Sequence, residues 1–253
     1  MLYRIEGTSV KIAGATSSAP LEQAQAPGWL RHVFDAADQW VFATDSEGID
    51  PADLLLPAYQ SLTVLSFFDA VAAQWRQAQL EGRPAKLKPW VVSARLCVHL
   101  AKLLAPGAEP LLLAEAKRRP APPRFLETPR EWVAAFDAVS LEDQLDHLER
   151  VVTFPEETAA FEVAFHEAWT THNLETMERL LETQRQRQPK FFQHSLADRN
   201  QRWLPGLTQI IDATAADKRR PDTLMLVEVR HLCGPQGIPA LLTNASRTLT
   251  RLL

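Results

Sequence analysis

The chain has 253 residues, 46% hydrophobic and 23% charged, enough to bury one substantial core and ordinary for a globular protein. A formal net charge of -4 and a pI near 6.0 argue against nucleic acid as a partner, because phosphate binding leaves a clustered basic surface. No segment approaches the ~20 continuous apolar residues of a membrane span, and Met1-Leu2-Tyr3-Arg4-Ile5-Glu6-Gly7 lacks the basic-then-apolar pattern of a leader, so a cytoplasmic protein without membrane association is expected.

From the N-terminus, loose alternation over 3–13 around Gly7-Thr8-Ser9 predicts two short strands joined by a turn, with Gly14 opening a loop. Apolar residues from Trp29 to Ala37 fall at helical spacing, and Gln39-Trp40-Val41-Phe42-Ala43 reads as a short buried strand. Strand, helix and strand in this order suggest a βαβ unit with parallel pairing. Over 57–79 the residues Leu62, Leu65, Phe68, Val71, Ala72 and Trp75 form one stripe at steps of three and four, predicting a helix of several turns. A second helix is predicted over 90–104, with Pro89 suited to its first turn. The basic group Lys117-Arg118-Arg119 precedes a proline and reads as a solvated helix end or turn, as does Lys218-Arg219-Arg220. Pro120-Ala121-Pro122-Pro123 must be an extended connection.

Arg124 to Glu127 reads as a short strand ending at Thr128-Pro129, a cap followed by proline at the first helical position. Helical periodicity then covers 131–136, 141–152, 156–170 and 174–188, punctuated by Ser140, Pro155 and His172-Asn173, with a further helix over 201–215 and a polar turn over 217–222. The apolar run Leu224 to Val229 predicts a buried strand that hands His231 to a loop. A helix over 239–244 and a final strand within 247–253 close the chain. Strands at both ends with a helical middle (roughly 131–215) predict an α/β (α+β) fold: residues 1–253 as a single domain with a mixed central sheet. The shared sheet would bring the loops after Ala13 and Val229 to one edge, where sites in such sheets tend to lie.

Local chemistry is sparse. Cys97 and Cys233 lack the spacing of a disulfide framework or a zinc knuckle. Among the seven histidines, His147, His166 and His172 form no i, i+4 metal pair. Ser17 and Ser18 lack a nucleophile elbow, and Cys233 with His231 offers a thiol–imidazole pair only if both face one side. Arg199 has the planar fork that holds a carboxylate or carbonyl. An ion pair with an acid such as Glu228 is the alternative for it.

Several fragments, taken together, resemble the TraB/GumN family, which includes the Tiki-type metallopeptidases. They are Tyr3-x-Ile5-x-Gly7-Thr8-Ser9 through Gly14, Pro27-x-Trp29-Leu30, Val41-Phe42, Pro89-Trp90, Gly107-Ala108-Glu109, Leu126-Glu127-Thr128, the Gln144-x-x-x-Leu148 helix, Ala168-Trp169, Arg199-Asn200-x-x-Trp203-Leu204-Pro205 and His231-Leu232-x-Gly234-x-x-Gly237. The resemblance implies peptide-bond hydrolysis through a divalent metal held by two G-x-x-H motifs and a glutamate. Here the first motif is Gly14-Ala15-Thr16-Ser17, the expected glutamate is Ala43, and in the second motif Glu228 replaces glycine while His231 remains. A catalytic metal needs about three protein ligands, so a non-catalytic peptide-binding protein is expected, accessory to a peptide-modifying or peptide-biosynthesis pathway and without a cofactor. Its expected binding residues are Ser17, Arg199, Asn200, Trp203 and His231. The enzyme alternative is a divergent hydrolase using manganese, cobalt or zinc in a site rebuilt from His231, Asp45, Glu47 and Glu228. A third reading is a structural subunit of a larger assembly, and a homo- or hetero-oligomer is compatible with each. The expected partner is a peptide or protein segment.

Overall fold

The computed structural model describes residues 1–58, 60–215 and 221–253, so most of the predicted turn over 217–222, including Lys218-Arg219-Arg220, lies outside the described residues. Strands β1 (Leu2–Ile5) and β2 (Val10–Ala15) pair antiparallel across a turn in which Gly7 has φ +75°, a conformation that favours glycine. Contrary to the sequence expectation, β2 does not break at Gly14 but runs on through Ala15. Gly14 is instead a position of close approach. A Cβ there would lie 2.8 Å from Val229 Cγ2 and 3.0 Å from Leu232 Cδ1.

The two-residue strand β3 (Ser18–Ala19) precedes helix α1 (Gly28–Asp35) and strand β4 (Gln39–Phe42). The predicted parallel relation of β2 and β4 holds, but the two do not pair with each other. Between them lies β7 (Thr223–Glu228), parallel to both, with Ala15 opposite Glu228 and Phe42 opposite Leu226. The short β6 (Arg124–Phe125) extends the parallel side, and β8 (Leu249–Arg251) pairs antiparallel with β1, giving the order β6-β4-β7-β2-β1-β8. Central β7 is buried along Thr223–Val227, which is why its sequence is a continuous apolar run rather than an alternating one.

The stripe over 57–79 gives a shorter helix than its period suggests. Ser61 caps a single 3-10 turn at Leu62–Val64, and α2 begins only at Phe68, ending at Gln77. Helix α3 (Pro89–Leu100) likewise stops before 104, because Lys102 turns into the left-handed region at φ 56°. A small strand, β5 (Ala105–Pro106), then pairs with β3, and helix α4 (Ala108–Ala116) follows.

The middle is helical as its caps predict. Thr128 and Glu131 form a reciprocal capping box on α5 (Pro129–Asp137), Ser140 caps α6 (Leu141–Thr153), proline starts α7 (Pro155–Thr170), and Asn173 caps α8 (Leu174–Arg187). A short α9 (Pro189–Phe192) and a π-turn at Gln193–Ala197 lead directly into α10 (Asp198–Ala215), three residues earlier than the periodicity indicates. Helix α11 (Ile238–Asn244) precedes β8. One apolar cluster joins the sheet to α1, α4, α7 and α10. A second joins α2, α3, α5 and α6 around Trp75, Trp90, Leu96 and Leu148. Among the described residues no helix is long and apolar enough to cross a membrane.

Candidate functional site

A cavity of about 500 Å³ opens between the two apolar clusters, at the C-terminal ends of β2, β7 and β4. This is where parallel strands leave room for ligands. Each strand contributes a residue: Thr16 and Ser17 follow β2, Glu228 ends β7, and Ala43 and Thr44 follow β4. Aromatic side chains from the helical side, among them Trp90, Trp132, Phe136 and Phe191, form the opposite wall.

The floor is a buried polar lattice. Glu127 Oε1 accepts from Arg199 Nη2 at 2.6 Å and Nε at 3.1 Å, while its Oε2 accepts from Trp203 Nε1 at 3.1 Å. Arg199 Nη1 donates to Ser195 O at 3.0 Å and approaches His231 Nε2 at 3.2 Å. His231 Nδ1 lies 2.6 Å from Asn200 Oδ1, and Asn200 Nδ2 donates to the carbonyl of Gln236 at 2.8 Å. A guanidinium can only donate, so Nε2 of His231 accepts and Nδ1 carries the proton. Burial, then the neighbouring Arg199 and Arg230 charges, push this imidazole well below its ordinary pKa, keeping it neutral.

His231 therefore sits on a 3-10 turn, Val229–Leu232, rather than in an open loop. Glu228 caps that turn by accepting from the Arg230 backbone N–H at 2.9 Å. The bare face of Gly14 admits the turn, and the Gly14 carbonyl accepts from Trp169 Nε1 at 2.9 Å. The acid paired with Arg199 is Glu127 and not Glu228. Of the residues expected to bind, Ser17, Arg199 and His231 line the cavity. Asn200 and Trp203 lie behind it as supports.

Asp45 and Glu47 are placed elsewhere. Asp45 caps the 3-10 turn Ser46–Gly48, and Lys117 Nζ bridges both carboxylates at 2.6 Å. The Lys117-Arg118-Arg119 group is thus an ion-paired turn, with Arg119 on Asp35 and Glu115. Cys233 Sγ faces the carbonyl of Val229 at 3.5 Å, and burial pushes its thiol up to about 12, so no thiol–imidazole pair forms.

The structure adds residues that spacing did not single out. Glu109, in the first turn of α4, accepts from Ser17 Oγ at 3.3 Å. Two backbone contacts seat that turn, Gly107 N–H on Ser17 O at 3.0 Å and Glu109 N–H on Thr16 O at 3.1 Å. Burial, then the charge of Glu228, pushes the Glu109 carboxyl from 4.5 up to about 7. The folded protein thus binds this proton more tightly than the unfolded chain does. The resulting stability is fully present below about 4.5 and lost as pH rises through about 7. Glu109→Gln should therefore stabilise the protein at pH 8, by about 1–2 kcal/mol after discounting for partial exposure, and change little at pH 5. Urea unfolding at both pH values checks this; a less stable variant at pH 8 would contradict it.

Strand ends that converge on a cavity over a buried Glu–Arg–His lattice define an α/β protein with its candidate site at the C-terminal edge of the parallel strands. The chain belongs to the TraB/PrgY/gumN family, whose model matches residues 1–251. No curated protein and no solved structure matches it. The divalent metal that the sequence resemblance implies does not fit these residues. Ser17 and Ala43 supply no strong donor, His231 Nε2 already accepts from Arg199, and among the described residues no group of three His, Cys, Asp or Glu side chains converges.

Proposed function

We propose that this chain is a non-catalytic peptide-binding protein on the TraB/PrgY/gumN fold, accessory to a peptide-modifying or peptide-biosynthesis pathway. One observation carries the reading: both ring nitrogens of His231 are engaged by Arg199 and Asn200 while a cavity of about 500 Å³ stays open beside them. The volume falls within the usual range for ligand pockets, and its walls combine aromatic surface with a few polar groups, which suits side chains together with peptide backbone.

Incubation of the protein with a pool of random hexapeptides, with and without zinc or manganese, tests this. Retained peptides, separated by gel filtration and read by mass spectrometry, are expected intact under both conditions. Metal-dependent cleavage products that vanish in His231→Ala would replace this reading with a divergent hydrolase.

A further inference from the structure

The charges on the cavity wall do not balance. Arg199 is matched by Glu127 behind the wall and Arg230 by Glu162, each at 2.6 Å. Glu109 and Glu228 also line the cavity, and neither has an ion-pair partner among the described residues. Nearby imidazoles supply no compensation, since burial holds His147, His166 and His231 below the ordinary histidine value. An anionic ligand would meet two carboxyls without ion-pair partners, of which Glu109 ionises only as pH rises through about 7, and a neutral ligand would leave both without one.

Independent of charge, the same wall has polar groups without partners. The hydroxyls of Thr16 (7% exposed) and Thr44 (8% exposed) make no hydrogen bond among the described residues. Both flank Glu228, because β7 runs between the strands they follow. His166 (5% exposed) donates its Nε2 proton to Gln23 Oε1 at 3.0 Å, which leaves Nδ1 a bare acceptor without a partner. Buried polar groups in folded proteins are normally satisfied, so these call for partners from a ligand: the two hydroxyls can accept or donate, and Nδ1 of His166 can only accept.

We propose that the strand-end cluster of Glu109, Glu228, Thr16 and Thr44 recognises a primary ammonium group, supplied by the α-amino terminus of a peptide or by a lysine side chain. This inference rests on the peptide-binding reading for its ligand, though the amine site itself can be tested apart from it. Two carboxylates accept from an ammonium, the hydroxyls take its remaining N–H or the adjacent amide, and the aromatic wall receives the attached side chains. An organic cation suits the site better than a metal ion, because no third His, Cys, Asp or Glu donor converges there among the described residues.

The test uses hexapeptide pools free of arginine and histidine in four forms, with the α-amine free or acetylated and with lysine included or omitted, against the wild type and the isosteric Glu109→Gln/Glu228→Gln variant. The pool lacking both amines should be retained at least about ten-fold more weakly than the free-amine pools, and the variant should erase the difference. Sensitivity to acetylation alone assigns the α-amine, and sensitivity to lysine alone assigns the side chain. Equal retention of all four pools by the wild type would overturn the amine inference and leave peptide binding standing. If no pool is retained, the peptide reading fails, and calorimetry with phenethylamine decides the amine site by itself: heat with the wild type and none with the variant supports it, and no heat with either overturns it.

Discussion

Glu127→Ala is expected to destabilise the protein by about 3–5 kcal/mol, the cost of leaving one member of a buried ion pair without its partner. The side chains of Glu127 and Arg199 are only 2% and 6% exposed. Without the carboxylate, the guanidinium keeps just Ser195 O and His231 Nε2 as acceptors, and Trp203 Nε1 loses its own. Arg199→Met in the same chain should recover part of the loss, because it removes the stranded charge rather than adding a contact. Urea unfolding of the single and double variants measures both quantities. A single variant that loses less than about 1 kcal/mol would mean that the Glu127–Arg199 pair is not what holds the cavity floor.

Gly107→Ala should have an effect of similar size through a different cause. Its Cβ would lie 2.2 Å from Thr16 O and 2.7 Å from Ser18 N, so backbone rather than a flexible side chain stands in the way. Segment 16–18 would have to move, breaking the hydrogen bonds from Gly107 and Glu109 and separating Ser17 from the Glu109 carboxylate. Overpacking together with two lost backbone bonds sums to about 3–5 kcal/mol, and ligand retention in the cavity should fall with it. Gly206→Ala is the control. Nothing lies within 4 Å of its added Cβ inside α10, so a gain of about 0.5–1 kcal/mol is expected from helix propensity. Thermal unfolding of both variants tells steric intrusion from a general intolerance of alanine.

The elements the sequence reveals are those whose signal is local. The apolar run of β7 marks a strand buried within a parallel sheet, and Ser140, Pro155 and Asn173 mark helix starts because a cap is chemistry within three residues. Helix α4 carries no such mark: Ala-Glu-Pro-Leu-Leu-Leu-Ala-Glu-Ala is apolar on most sides, so it shows no amphipathic period. The position of β7 between β2 and β4 is a long-range choice that neither strand encodes alone.

The candidate site divides the same way. His231 and Ser17 are placed by strand ends that can be read along the chain, and both reach the cavity. The partner of Arg199 could not be read, since Glu127 is 72 residues away and looks like the end of a short strand. Nor could Glu109 or the hydroxyls of Thr16 and Thr44, whose importance comes from the groups they lack rather than from any spacing.

The central claim, that the lattice of Glu127, Arg199 and Asn200 holds the His231 imidazole and leaves it no lone pair for a metal, is tested most directly by nitrogen NMR of the histidine ring. The expected ring is neutral, protonated at Nδ1 and unprotonated at Nε2, where the lone pair accepts from Arg199, and it is unchanged by a stoichiometric addition of zinc. A His231 resonance that shifts in proportion to added zinc, with the metal on Nε2, would contradict it.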